Sequence, residues 1–134
     1  MRDIKERLSL LWIFVLMNYL YADIHALFDI AGRPSAFESL APGLLMGSAV
    51  FMEIPIAMIL VCRLVPFRAN RLANIIAGAL VTLINGFLTF VAPLLGWGHP
   101  PAYPEYLLYA TIETVCTLYI VWRAWTWSRV EGSN

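Results

Sequence analysis

Apolar residues gather into four long blocks along the chain, at 8–28, 43–65, 72–95 and 106–127, instead of alternating with polar ones. Half-buried strands alternate with a period of two, whereas unbroken apolar blocks of about 20 residues predict helices that cross a bilayer. Inside lipid each block must be helical, because nothing there satisfies a free peptide group. The connections carry the breakers, with Gly32, Pro34 and Pro42 after the first block and Pro100, Pro101 and Pro104 after the third. Such short links predict antiparallel neighbours in an all-α, integral membrane four-helix bundle, one transmembrane domain over 1–134. The start, MRDIKER before an apolar run, has the outline of a secretory leader. The run is too long for one, and Asp23 stands where small residues would precede a cleavage site, so it is read as a retained first helix.

Composition agrees with the blocks: of 134 residues 60% are hydrophobic and 13% charged, against about 25% charged in a soluble domain. The formal net charge of zero hides a sidedness. Arg2, Lys5 and Arg7 open the first block, Arg63, Arg68 and Arg71 flank the turn between the second and third, and Arg123 and Arg129 close the fourth, with only Arg33 at the opposite side. Basic loops stay inside, which predicts cytoplasmic N- and C-termini. Trp12, Trp122, Trp125 and Trp127 are placed by depth in an inner aromatic belt, and Trp97, Tyr103 and Tyr106 in an outer one. No basic surface suited to nucleic acid is present. Cys62 and Cys116 fall at different depths and are expected to stay unbridged, as small buried hydrophobes.

Polar groups inside the blocks carry the chemical information, because each is costly to insert. They are Asn18, Asp23 and His25 in the first, Glu53 in the second, Asn74 and Asn85 in the third, and Glu113 in the fourth. Helical rise places Glu53, Asn85 and Asn18 near the midplane and Asp23, His25 and Glu113 in the outer half, a pattern that predicts a cavity open to the outside. Asn74, Gly78, Thr82, Asn85 and Thr89 recur at three- and four-residue spacing as one stripe, while Tyr106, Tyr109, Glu113 and Cys116 or Thr117 form another line. Tyr19 aligns with Asp23. Pro55, just past Glu53, frees the carbonyl of Phe51. The bland reading is that Asn, Thr and Tyr only hydrogen-bond between helices. Three acids with no Lys or Arg at their depth fit it less well: each is held neutral or attracts a cation. Asp23, Glu53 and Glu113, with Asn18, Tyr19, His25, Asn85 and Tyr109 around them, are therefore the candidate ligand- and proton-binding residues.

Other chemistries find less footing. His25 and His99 lie at different depths and make a poor ligand set, so no metal or other cofactor is expected. No nucleophile–base triad, phosphate loop or zinc-protease motif occurs. Arg68, Asn70, Arg71 and Asn74 read as a cytoplasmic anchor, with capture of anionic lipid headgroups by Arg68 and Arg71 as the functional alternative.

The stretches LWIFVLMNYLYADIHALF, EIPIAMILV, RANRLANIIAGALVTLIN and IETVCTLYIVWRAWTW resemble an uncharacterised family of short bacterial four-helix membrane proteins. The likeness takes in Tyr21, Asp23, Glu53, Pro55, Arg71, Asn74, Glu113 and Trp125, and implies a bacterial inner (plasma) membrane and no assigned chemistry. In layout, Asp23, Glu53 and Pro55 also resemble the buried acidic site of the emopamil-binding and sigma-2-receptor sterol-handling fold, and four helices with a membrane acid resemble small multidrug exporters. The expectation is a membrane protein that binds or transports a small hydrophobic or cationic ligand. Its alternatives are an isomerase of lipid- or sterol-like substrates using a buried carboxylate, and a non-catalytic accessory or assembly subunit. Gly43 and Gly47 offer a close-approach face, either for a homo-oligomer or for contacts within one chain.

Overall fold

A computed structural model describes residues 2–32, 42–96 and 104–127, and within them all regular structure is helical. Arg33, Trp97, His99, Tyr103 and Arg129 lie outside the described residues, as do the side chains of Arg2 and Tyr106. Helix α1 spans Arg2–Ala31, α2 Pro42–Leu64, α3 Phe67–Gly86 and α4 Pro104–Thr126. Helix α3 continues through a π-helical turn, Phe87–Val91, and a 3-10 turn, Ala92–Leu95. Pro93 has no amide hydrogen for the carbonyl four residues back, a local reason for the regular ladder to give way here. Gly96 then ends the segment with φ 71°, a left-handed conformation that glycine adopts without strain.

Residues that touch across the helices fix the topology. Lys5 meets Val65, Ser9 meets Ile59 and Tyr19 meets Phe51, so α1 and α2 run antiparallel. Leu11 pairs with Cys116 and His25 with Tyr109, and Arg71 pairs with Ala124 and Asn85 with Ala110, so α4 runs antiparallel to both α1 and α3. The result is an up-down-up-down bundle in which α1 packs on α2 and α4, and α3 on the same two. The segments Asp3–His25, Met46–Leu64 and Phe67–Leu95 are long and apolar enough to cross a membrane. Helix α4 has 23 residues, length enough, but Thr111, Glu113, Thr114, Thr117 and Arg123 lower its apolar content. Glu113 and Thr117 face inward at 2% and 1% exposure, while Leu108, Val115, Leu118 and Trp122 face out.

Helix α1 begins ahead of its apolar block because its first turns are amphipathic. Ile4, Leu8, Trp12, Val15, Tyr19 and Ala22 follow the helical period and are buried, whereas Asp3, Glu6 and Arg7 are exposed. Trp12 and Trp127 therefore belong to the core at 0% and 1% exposure, a correction to the belt reading, which keeps Trp122 and Trp125 on the surface. Depth alone does not separate the four. Trp127 meets Phe67 edge to face at 5.0 Å. Cys62 and Cys116 are buried and unbridged.

The basic end of the bundle has a backbone cause. Helices α2 and α4 both finish there, and their last carbonyls need donors. Lys5 Nζ donates to the carbonyl of Val65 at 3.0 Å, and Arg71 Nε and Nη2 donate to those of Ala124 and Trp125 at 3.1 and 2.8 Å. Positive charge at these C-termini also complements the helix dipoles.

At mid-bundle α3 and α4 approach through Gly78. A Cβ there would lie 2.6 Å from Val121 Cγ2 and 3.4 Å from the carbonyl oxygen of Thr117. Gly78→Val is expected to destabilise the folded state by about 1–3 kcal/mol in detergent unfolding titrations, as overpacking does. Gly86→Ala, with nothing within 4 Å of the new methyl group, is the control and leaves the midpoint unchanged or raised, since alanine is the better helix former.

Candidate functional site

Among the described residues, two polar clusters on the inner faces differ in kind. Near the basic end, Trp12 Nε1 donates to Asn74 Oδ1 at 2.8 Å, Asn74 Nδ2 donates to Asn70 Oδ1 at 2.8 Å, and Asn70 Nδ2 donates to the Cys62 carbonyl at 2.7 Å. The same Asn70 amide reaches the carbonyls of Val61 and Val65, and Cys62 Sγ contributes a longer contact to Asn74 Oδ1 at 3.4 Å. Trp12, Asn70, Asn74 and Cys62 are all 0% exposed. Asn70 and Asn74 are thus interior ties among α1, α2 and α3, not members of a solvated anchor. Short bonds with both amides fully engaged mark a structural network.

The second cluster lies further toward the opposite end, between α1, α3 and α4. Periodicity in α3 brings Asn85 and Thr89 to the face that meets α4, and in α4 it brings Glu113 and Thr117 inward. Asn85 Nδ2 is shared among the carbonyl of Ala110, Glu113 Oε2 and Thr114 Oγ1 at 3.4, 3.4 and 3.3 Å. Thr89 Oγ1 donates to Asn85 Oδ1 at 3.5 Å. All of these contacts are long, so two amide hydrogens hold three acceptors loosely. Glu113 is 2% exposed, and its Oε1 is buried without a hydrogen-bond partner.

Helix α1 supplies the third wall. Asp23 lies near enough for its charge to act on Glu113. His25 Nε2 and the Tyr109 hydroxyl are 3.3 Å apart, with ring centroids at 5.6 Å. Asp23 and His25 are exposed, Tyr109 is half-buried and Glu113 is enclosed, so the groups form a graded path inward. Among the described residues no basic side chain pairs with Asp23 or Glu113. Helix α2 stands back at this level: Gly43, Met46, Gly47, Ser48, Ala49 and Val50 are all exposed, and burial begins one turn before Pro55.

Of the residues singled out in the sequence, Asp23, His25, Asn85, Tyr109 and Glu113 come together. Tyr19 is buried beside Phe51, with rings edge to face at 5.5 Å. Asn18 bonds its own helix, donating to the Phe14 carbonyl at 2.9 Å. Glu53 does not join the cluster; it is exposed on the outer face of α2. Thr89 and Thr114 complete the site, and Thr114 carries no signal in the sequence beyond adjacency to Glu113. Arg68 and Arg71 line a cleft of about 600 Å³ between the start of α3 and the end of α4, with Leu72, Ile75 and Trp125 as its apolar side.

A profile of a family of unknown function (DUF6326) matches residues 2–133. No curated protein and no solved structure matches the chain.

Proposed function

The chain belongs to this family of unknown function, and from that starting point we propose that it is a four-span membrane protein that binds an amphiphilic organic cation in exchange for a proton. The observation that carries the reading is the buried, unpartnered Oε1 of Glu113 beside a second acid, Asp23, with no Lys or Arg partner among the described residues. A structural carboxyl is usually fully hydrogen-bonded, and an orphaned one points to a proton or ligand it exchanges. The Lys and Arg residues described with their side chains, Lys5, Arg7, Arg63, Arg68, Arg71 and Arg123, all lie at one end of the bundle, which supports cytoplasmic termini and an acidic mouth facing outward. Helix α4 becomes the fourth span on this reading, because Glu113 and Thr117 are turned inward.

Asp23 is the docking charge at the mouth, and the Tyr109 ring offers a cation–π face beside it. Glu113 is the exchanging group behind them. A positive charge placed at the mouth favours the ionised carboxyl, so a protonated Glu113 plus a cation gives a carboxylate with a bound cation and one released proton. Titration of the full-length protein with tetraphenylphosphonium in two buffers of different ionisation enthalpy, at one pH, tests this. Heats that differ by about one proton per bound cation are expected. Binding with identical heats in the two buffers overturns proton exchange, and absence of binding overturns the ligand class.

A further inference from the structure

Glu53 requires its own explanation. It lies 11 residues before the end of α2 at Leu64, about 17 Å along the axis and so near mid-membrane. Its side chain is exposed on the outside of the bundle and belongs to a row, Met46, Val50, Glu53, Ala57, Leu60 and Leu64, spaced alternately by four and three residues. Every member of this row is exposed, Met46 at 68% and Leu64 at 77%. The opposite side of the helix, with Pro55, Met58 and Cys62, is the one buried in the bundle. A row with this alternation has the geometry through which paired helices meet. A carboxyl in it, facing hydrocarbon, is among the costliest placements a side chain can have, so a polar partner belongs there.

Symmetry names the partner. All the described Lys and Arg side chains lie at one end, so on the membrane reading above every copy inserts the same way round. Two copies then meet about a two-fold axis along the membrane normal, and each residue of the seam faces its own counterpart. Glu53 meets Glu53, and such a pair is self-complementary: a protonated carboxyl donates through its O–H and accepts through its carbonyl, with either a protonated or an ionised partner. Ala57, one turn further, lets the two backbones approach at that point. We propose that α2 is the interface of a parallel homodimer closed through Met46, Val50, Glu53, Ala57, Leu60 and Leu64, with the two Glu53 carboxyls hydrogen-bonded at its centre. Gly43 and Gly47, with open space where a Cβ would sit, lie beside this seam. The proposal rests on the membrane reading but not on ligand exchange at Glu113, and Glu53 takes no part in that test.

Oxidative crosslinking in native membranes decides it. Ala57→Cys in the full chain is expected to form a disulfide between two copies, whereas Ile56→Cys, exposed but turned about 100° away, is not. The native Cys62 and Cys116 are buried and do not contribute. Adding Glu53→Leu to the Ala57→Cys chain is expected to weaken dimerisation about tenfold, while Glu53→Gln, whose amide also donates and accepts, preserves it. Equal crosslinking at 56 and 57, crosslinking indifferent to Glu53→Leu, or an Ala57→Cys adduct with some other protein in place of a second copy each overturns the homodimer.

Discussion

Replacing Asn74 with leucine is expected to cost about 2–3 kcal/mol of folding free energy. The side chain is nearly isosteric, so the loss is of hydrogen bonds and not of volume. Asn74 Oδ1 accepts from the Trp12 indole at 2.8 Å, and its Nδ2 donates to Asn70 Oδ1 at 2.8 Å and to the Asn70 carbonyl at 2.9 Å. With leucine in place, an indole N–H and an amide oxygen are left in a site that is 0% exposed, and each such orphan costs about 1–3 kcal/mol. Interhelical hydrogen bonds in membranes average less, about 0.6 kcal/mol, because the unfolded chain in lipid finds partners too. Trp12 and Asn70 find none after the substitution unless α1 or α3 shifts, which sets the expected value above that average. Thr82→Ala is the comparison: the Thr82 hydroxyl bonds its own helix at Gly78 as well as Thr117 at 2.8 Å, and the partner hydroxyl keeps other acceptors. Its removal is expected to cost less than about 1 kcal/mol. Reversible unfolding in mixed micelles measures both, and an Asn74→Leu value within about 0.5 kcal/mol of the unmodified chain would show that the network is decorative.

That network also marks the limit of what the sequence discloses. The four-helix architecture was legible because bilayer-length apolar blocks and short breaker-rich links leave few alternatives. The stripe from Asn74 to Thr89 was legible because polar residues stand out on an apolar helix and their spacing fixes a common face. Which way an apolar face points was not legible. In a membrane both the bundle interior and the lipid are apolar, so hydrophobicity does not separate inside from outside. Depth placed Trp12 with the belt tryptophans, whereas its position on the row of Leu8, Val15 and Tyr19 carries it into the core. Depth likewise grouped Glu53 with Asp23 and Glu113, although Pro55, Met58 and Cys62 occupy the inner side of α2 and turn Glu53 out. The early start of α1 was recoverable from Ile4 and Leu8 at helical spacing, a signal that a search for continuous apolar runs passes over. Asn70 and Asn74 read as an anchor through their basic neighbours Arg68 and Arg71. The arginines stay at the surface cleft, one of them holding the end of α4, and the asparagines turn inward.

Glu113→Gln is expected to abolish proton release on tetraphenylphosphonium binding and to flatten its pH dependence while the bundle stays folded. The sign follows from linkage. If the free protein holds a proton at Glu113 that the complex lacks, proton and cation compete, and affinity rises with pH by about tenfold per unit over the range where the proton is held only in the free state. Below that range both states hold the proton, above it neither does, and affinity no longer varies. Glutamine keeps the shape and a carbonyl that can accept from Asn85 Nδ2, now 3.4 Å from Glu113 Oε2, but it has no proton to give. Stability within about 1 kcal/mol of the unmodified chain is expected, because a neutral amide replaces a carboxyl whose second oxygen had no partner. Asp23→Asn acts differently: the mouth loses a charge at an exposed position, so affinity falls about threefold to tenfold, as a partly solvated ion pair warrants. Its slope with pH is retained, since Glu113 still exchanges. Separation of the two effects, slope with Glu113 and affinity with Asp23, distinguishes proton-coupled binding from simple attraction of a cation to an acidic patch. In the latter case both substitutions would lower affinity and neither would change the slope.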